Sequence, residues 1–169
     1  MIQFAQHPVA GTPRVGEYWP GQGGIYGGIM PDYDGHAPYH LVMSTDEAVG
    51  VTWGSYFSAD SAARSDADGQ ANTAALKQCG HAHPAAHWAA HYQKDRRYDF
   101  HLPARRELDM LAQTLPDHFS RSAWYWSSTE HADHEAWGRN FSGTPFEHLF
   151  KQFTGRARAV RRLFVSKSA

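Results

Sequence analysis

The chain has 169 residues, with 16 Lys and Arg against 17 Asp and Glu and a formal net charge of -1 when the 12 His are neutral. That length suits one domain burying roughly 70% of its unfolded surface, and the charge balance argues against a dedicated nucleic-acid binder. One cysteine, Cys79, excludes an intramolecular disulfide and any chemistry needing a cysteine pair within the chain. Aromatic residues make up 14% while mean hydropathy is -0.60, so the hydrophobic capacity sits in large rings. Such a composition suits a loop-rich domain with an aromatic core and a hydrogen-bonding surface. The start, Met1 to Pro8, has no basic segment leading into an apolar run, and no window approaches the roughly 20 apolar residues of a membrane span. The expectation is folding in a cytoplasm, with no membrane insertion.

Glycines and prolines crowd residues 11 to 35, marking tight turns. Between them Gly24–Met30 reads as a short strand, Asp34-Gly35 as a hairpin turn and Tyr39–Ser44 as the return strand, with Gly50–Tyr56 continuing the pattern. Asp60 to Gly69 is small and polar and reads as a surface loop. Asn72 or Thr73 offers a cap for a helix over Ala74–Cys79, which Gly80 terminates. Pro84 starts a second helix running to Tyr92, and Asp95 to Asp99 is charged and exposed. Leu108, Leu111, Ala112 and Leu115 then recur at three- and four-residue spacing, predicting a helix just after Pro103 with one apolar face; Pro116 ends it.

The C-terminal third is the aromatic segment. Trp124, Trp126 and Trp137 fall within fourteen positions, in short runs separated by turn residues, as in an antiparallel meander. Ser142 to Pro145 is a turn, Phe146–Phe153 a strand or ordered loop, and the last strand holds Val160. Strands, then helices, then strands predict an α+β fold rather than a parallel sheet.

The order of motifs resembles the Lcl C-terminal domain family, a domain of unknown function similar in layout to C-type lectins. The landmarks are Trp53-Gly54, Asp68 to Leu76, the alanine-rich helix Ala85 to Tyr92, Leu102 to Leu108, Tyr125 to Glu130, Ala136-Trp137, Phe141, Gly143 and Val160-Arg161. The resemblance covers residues 15–165, leaving an N-terminal segment of 1–14 and a tail of 166–169. It implies an α+β, C-type-lectin-like fold of small antiparallel sheets, two or three helices and long loops. It further implies a noncatalytic ligand-binding module, as in phage tail receptor-binding proteins, diversity-generating-retroelement variable proteins and surface adhesins for anionic glycans. The implied partners are a bacterial surface protein or glycan, other virion tail proteins, and further copies of the chain as a trimer. The implied location is a phage tail assembled in a host cytoplasm, with the cytoplasm or the cell surface as alternatives. Neither Glu-Pro-Asn nor Gln-Pro-Asp nor Trp-Asn-Asp occurs, so the calcium-dependent sugar site of C-type lectins is not expected, and no cofactor is.

Strand alternation assigns Trp126, Trp137 and Phe141 to the core. It turns Tyr125, Arg139 and Asn140 outward, where with the loop residues His131, His134, Phe146, His148 and Lys151 they form the expected ligand-binding surface. An ordinary solvated face is the plainer account of the same residues. After Glu147 every charged residue is basic: Lys151, Arg156, Arg158, Arg161, Arg162 and Lys167. A groove for an anionic glycan or nucleic acid is one reading, and pairing with carboxylates elsewhere is the simpler one. His83, His87 and His91 recur every four residues, and His87 and His91 approximate a His-x3-His-x-Glu iron motif with Gln93 in place of the carboxylate. They are the candidate ligands for an alternative, metal-dependent enzyme, set against a solvated helix face, because two His are half of a usual site. Ser127 and Ser128 lack the Gly-x-Ser-x-Gly turn of a nucleophile, and Glu107 reads as a carboxylate in the first turn of a helix.

Overall fold

The computed structural model describes residues 11–33, 35–57, 62–142 and 146–165. Asp34 of the expected hairpin turn, Asp60 of the polar loop, the Gly143–Pro145 turn, Lys167 and both chain ends lie outside them. The strands are β1 (Tyr18–Trp19), β2 (Gly24–Met30), β3 (Tyr39–Thr52), β4 (Trp124–Glu130), β5 (Glu135–Asn140), β6 (Phe146–Phe150) and β7 (Thr154–Phe164). The helices are α1 (Gly69–Gln78), α2 (Pro84–His91) and α3 (Arg105–Thr114), followed by a 3₁₀ turn at Pro116–His118.

All seven strands join one sheet in the order β1-β2-β3-β7-β4-β5-β6. The β4–β7 pair is parallel, at Tyr125 and Arg156, and the others are antiparallel. This corrects the expected α+β, C-type-lectin-like layout of small antiparallel sheets: the fold is mostly sheet, mixed and continuous. The reason lies in β7. Its register runs along β3 from Thr154 opposite Thr52 to Phe164 opposite Tyr39, while its other edge meets β4, so one strand welds the N-terminal hairpins to the C-terminal meander. Strand β3 likewise fuses two expected strands, bending at irregularities between Met43 and Glu47 and between Val49 and Val51. Gly50 at the second bend has a φ of 71°, a conformation that favours glycine.

Both faces of the sheet are covered. On one, α1 and α2 pack Leu76, Ala85, Ala86 and Ala89 against Trp53, Trp126, Ala136, Ala157 and Ala159. On the other, α3 sets Leu108 and Leu111 against Leu41, Met43, Tyr125 and Val160, the face that its leucine spacing predicts. Two indoles tie the end of β3 to β4: Trp53 Nε1 donates to the Ser127 carbonyl at 2.9 Å and Trp126 Nε1 to the Val51 carbonyl at 3.1 Å.

Helix α1 starts earlier than predicted. Asp68 is its cap, accepting from the Ala71 N–H at 2.9 Å, and Asn72 is instead buried, where its amide holds the Ser65 carbonyl at 2.7 Å and Ser128 Oγ at 3.2 Å. The predicted span of α2 matches, with Tyr92 as its C-terminal cap. Glu107 does sit in the first turn of α3, but its side chain is fully buried. It accepts from the Ala104 N–H at 2.8 Å and the Tyr39 hydroxyl at 2.7 Å, and pairs with His101 at 3.2 Å and Arg162 at 3.6 Å. Burial alone raises the Glu107 pKa; the His101 charge and hydrogen bond, the Arg162 charge and the Ala104 N–H outweigh it and hold the carboxyl below its ordinary value.

Candidate functional site

Strand β4 is buried almost throughout, from Tyr125 to Glu130. Alternation therefore does not turn Tyr125 outward: with helices on both sheet faces, both faces of the strand are interior. The Tyr125 ring is wholly buried against Phe119 and Phe141, and its hydroxyl donates to Glu47 Oε2 at 2.6 Å and accepts from the Ser120 N–H at 3.0 Å. Lys151 is also interior. Its ammonium, with the side chain 0% exposed, meets Glu130 Oε1 at 2.5 Å and the Asp133 carbonyl at 2.7 Å, and stands 4.8 Å from the Trp53 ring centre. Both are removed from the expected binding surface.

Arg139 is held by α3, its Nη1 lying 2.6 Å from Asp109 Oδ1, and Asn140 Oδ1 accepts from the Ser142 N–H at 2.9 Å. The C-terminal arginines are likewise engaged. Arg156 and Arg158 meet Glu47 at 2.5 and 3.3 Å, Arg161 meets Asp99 at 2.8 Å, and Arg162 bonds Asp68. The basic run is thus neutralised by upstream carboxylates rather than gathered into an anion groove.

Of the remaining residues, Phe146 opens β6, and His131, His134 and His148 converge on the edge where β4 turns into β5 and β6 closes the sheet. His148 lies opposite Trp137 in the β5–β6 register. Its Nδ1 is 2.9 Å from Glu135 Oε2, and the His131 ring stacks on it at 4.1 Å with 18° between planes. Trp137 presents an edge-to-face contact to both imidazoles and carries the Arg105 guanidinium 3.7 Å above its ring, so this indole is half-buried and not core. Burial, then the neighbouring His148 and Arg105 charges, lower the His131 pKa, against the opposing pull of Glu135.

Beside this cluster His134 stacks flat on Tyr56 at 4.0 Å, with Nδ1 2.6 Å from the Tyr56 carbonyl. Phe57, 75% exposed, packs on Tyr56 at 5.0 Å; Phe150 lies 6.1 Å from Tyr56, and Phe153, 46% exposed, 5.5 Å from Phe150. Arg64, Asp133, Glu135, His131 and His134 line an open cleft of about 470 Å³ bounded by Phe150. Sequence reasoning missed Tyr56, Phe57, Phe150, Phe153 and Glu135. Nothing local marks the 56–57 pair as a neighbour of residue 150, whereas Glu135 stands two residues before Trp137, on its side of β5.

His87 and His91 stack at 4.1 Å, with His91 Nδ1 2.8 Å from the His87 carbonyl. They border a separate cleft of about 590 Å³ with His81 and His83. Both nitrogens of His83 are occupied, Nδ1 by the Trp53 carbonyl at 2.9 Å and Nε2 by Cys79 Sγ at 3.0 Å, and burial lowers its pKa. Among the described residues no third His, Cys, Asp or Glu completes a metal-binding group with His87 and His91. Ser127 and Ser128 are buried: Ser127 Oγ donates to the Trp137 carbonyl at 2.7 Å, and Ser128 Oγ accepts from Asn72, both structural roles.

No protein-family model matches the chain, and no curated protein does. Among solved structures the chain is similar to a fimbrial protein from Bacteroides ovatus, with a TM-score of 0.50 and 16% sequence identity over 72% of this chain. The chain spans 35% of the length of that fimbrial protein, and at such identity the likeness is one of fold.

Proposed function

We propose that this chain is a noncatalytic binding module of an adhesive surface protein, and that it recognises a saccharide through Tyr56, Phe57, His134, Phe150 and Phe153. The observation that carries the reading is the contiguity of these rings at the surface. Contiguous exposed apolar patches of this kind mark interaction sites, and rigid aromatic side chains bind with little entropy lost. Flat ring faces carry negative quadrupole charge that suits the weakly positive C–H faces of a sugar, while Arg64 and Asp133, on the rim of the same cleft, supply a donor and acceptors for hydroxyls. The fold likeness to a fimbrial protein supports the adhesive setting. A phage tail setting would use the same surface with the module carried on a virion.

The test is adsorption of the purified chain to a glycan array and to bacterial cells. Truncating a central anchor such as Tyr56 or Phe150 to Ala should cost about 2 kcal/mol, roughly a 30-fold loss of affinity, with the thermal melt unchanged for exposed Phe57→Ala. Undiminished adsorption by a Tyr56→Ala/Phe57→Ala/Phe150→Ala variant would sink the assignment.

A further inference from the structure

We propose that His131, Glu135 and His148 form a zinc site on the β4–β5–β6 edge, with two imidazoles and one carboxylate as protein ligands. One ligand atom from each of the three lies within 4.8 Å of the others, with His148 Nδ1 at 2.9 Å and His131 Nε2 at 4.0 Å from Glu135 Oε2. Tetrahedral zinc with donors at about 2.0–2.1 Å requires those donors to stand roughly 3.3 Å apart, a spacing inside the range already present.

The backbone sets this arrangement before any ion arrives. His131 and Glu135 are locked across the β4–β5 turn, where the N–H groups of His131 and Ala132 both donate to the Glu135 carbonyl at 3.0 Å. His148 is brought in by register, since β6 places it opposite Trp137 and Phe150 opposite Glu135, leaving His148 and Glu135 as diagonal neighbours on one face. Trp137 walls the site on one side, and its own ring is held by Arg105. Binding requires one adjustment. The stacked imidazoles must splay so that their lone pairs converge, which is rotation about the broad χ2 torsion of histidine in two side chains that are 34% and 44% exposed.

The donor set selects the ion. Two imidazoles and one carboxylate suit zinc and its first-row neighbours rather than calcium or magnesium, which take oxygen ligands. Three protein ligands leave a fourth position open to solvent, as in zinc sites that accept water or an exogenous donor. This inference does not depend on saccharide binding, and its test reads metal rather than adsorption.

The test is zinc titration of the full chain, purified without a histidine tag, by calorimetry and by the thermal melt, with cobalt(II) as a spectroscopic substitute. The expected result is one ion per chain, a melting temperature that rises with zinc because only the folded chain assembles the site, and cobalt d–d bands of a low-coordinate N,O site. Glu135→Gln and His148→Ala should each weaken binding at least tenfold while the metal-free melt stays within a few degrees, and His87→Ala/His91→Ala should leave it unchanged. Three results would overturn the proposal: no binding by the unaltered chain, binding undiminished in both Glu135→Gln and His148→Ala, or binding lost in the His87→Ala/His91→Ala variant.

Discussion

Replacing Lys151 with methionine separates two accounts of that residue with a single measurement. If Lys151 belonged to a solvated binding face, the change would alter stability by no more than about 0.5 kcal/mol and would weaken ligand capture. The structure instead buries the ammonium completely against Glu130, whose side chain is also 0% exposed. Removing one partner of a buried pair costs about 3–5 kcal/mol, because the other charge stays interior without its counterion. Here the lower end applies, since Arg64 Nε remains 3.1 Å from Glu130 Oε2 and retains part of the compensation; the Asp133 carbonyl also loses its ammonium donor. For a chain of this size about 3 kcal/mol lowers the melting temperature by roughly 6–12 °C. Thermal and urea unfolding followed by circular dichroism gives both numbers. The second arm is the double variant Lys151→Met/Glu130→Gln, which removes the orphaned charge and should recover more than half of the loss. A Lys151→Met chain melting within about 1 °C of the parent would refute the buried-pair reasoning.

Glu107→Gln should lower stability by about 3 kcal/mol at pH 7, and the deficit should shrink in acid. The Glu107 pKa is depressed in the folded chain, so its contribution is complete above the unfolded carboxyl's value of about 4.3 and is lost as pH falls through the lower folded value. Urea unfolding of both chains from pH 7 to pH 3 checks this, and a gap that widens in acid contradicts it. Tyr125→Phe keeps the ring packing but strips the hydroxyl from Glu47 and from the Ser120 N–H. It should cost about 1–2 kcal/mol in the same assay while leaving adsorption to glycans and cells at the parent level. Reduced adsorption by a normally stable Tyr125→Phe chain would return this residue to the binding surface.

Several features were legible in the sequence because they depend on neighbours close in the chain. The leucine spacing of α3, the proline at the first position of α2 and the stop at Pro116 are local steric and periodic facts. The alternation argument worked for Trp126 and failed for Tyr125, one residue away. Alternation sorts side chains between a core and a solvent face, and β4 has no solvent face. The uncharged run Trp124 to Thr129 carries the mark of a strand covered on both sides, a mark outweighed by the expectation of a one-sided meander.

The sequence alone settled the absence of an intramolecular disulfide and the lack of a polyelectrolyte charge, since both follow from counts of side chains that no fold can alter. Only the tertiary structure decided the rest. That β7 joins two hairpin systems into one sheet, that Glu47, Asp68 and Asp99 neutralise arginines far along the chain, and that residues 56, 57, 134 and 150 share a patch are long-range pairings. They are set by strand register and by burial of both sheet faces, and no local pattern in the chain encodes them.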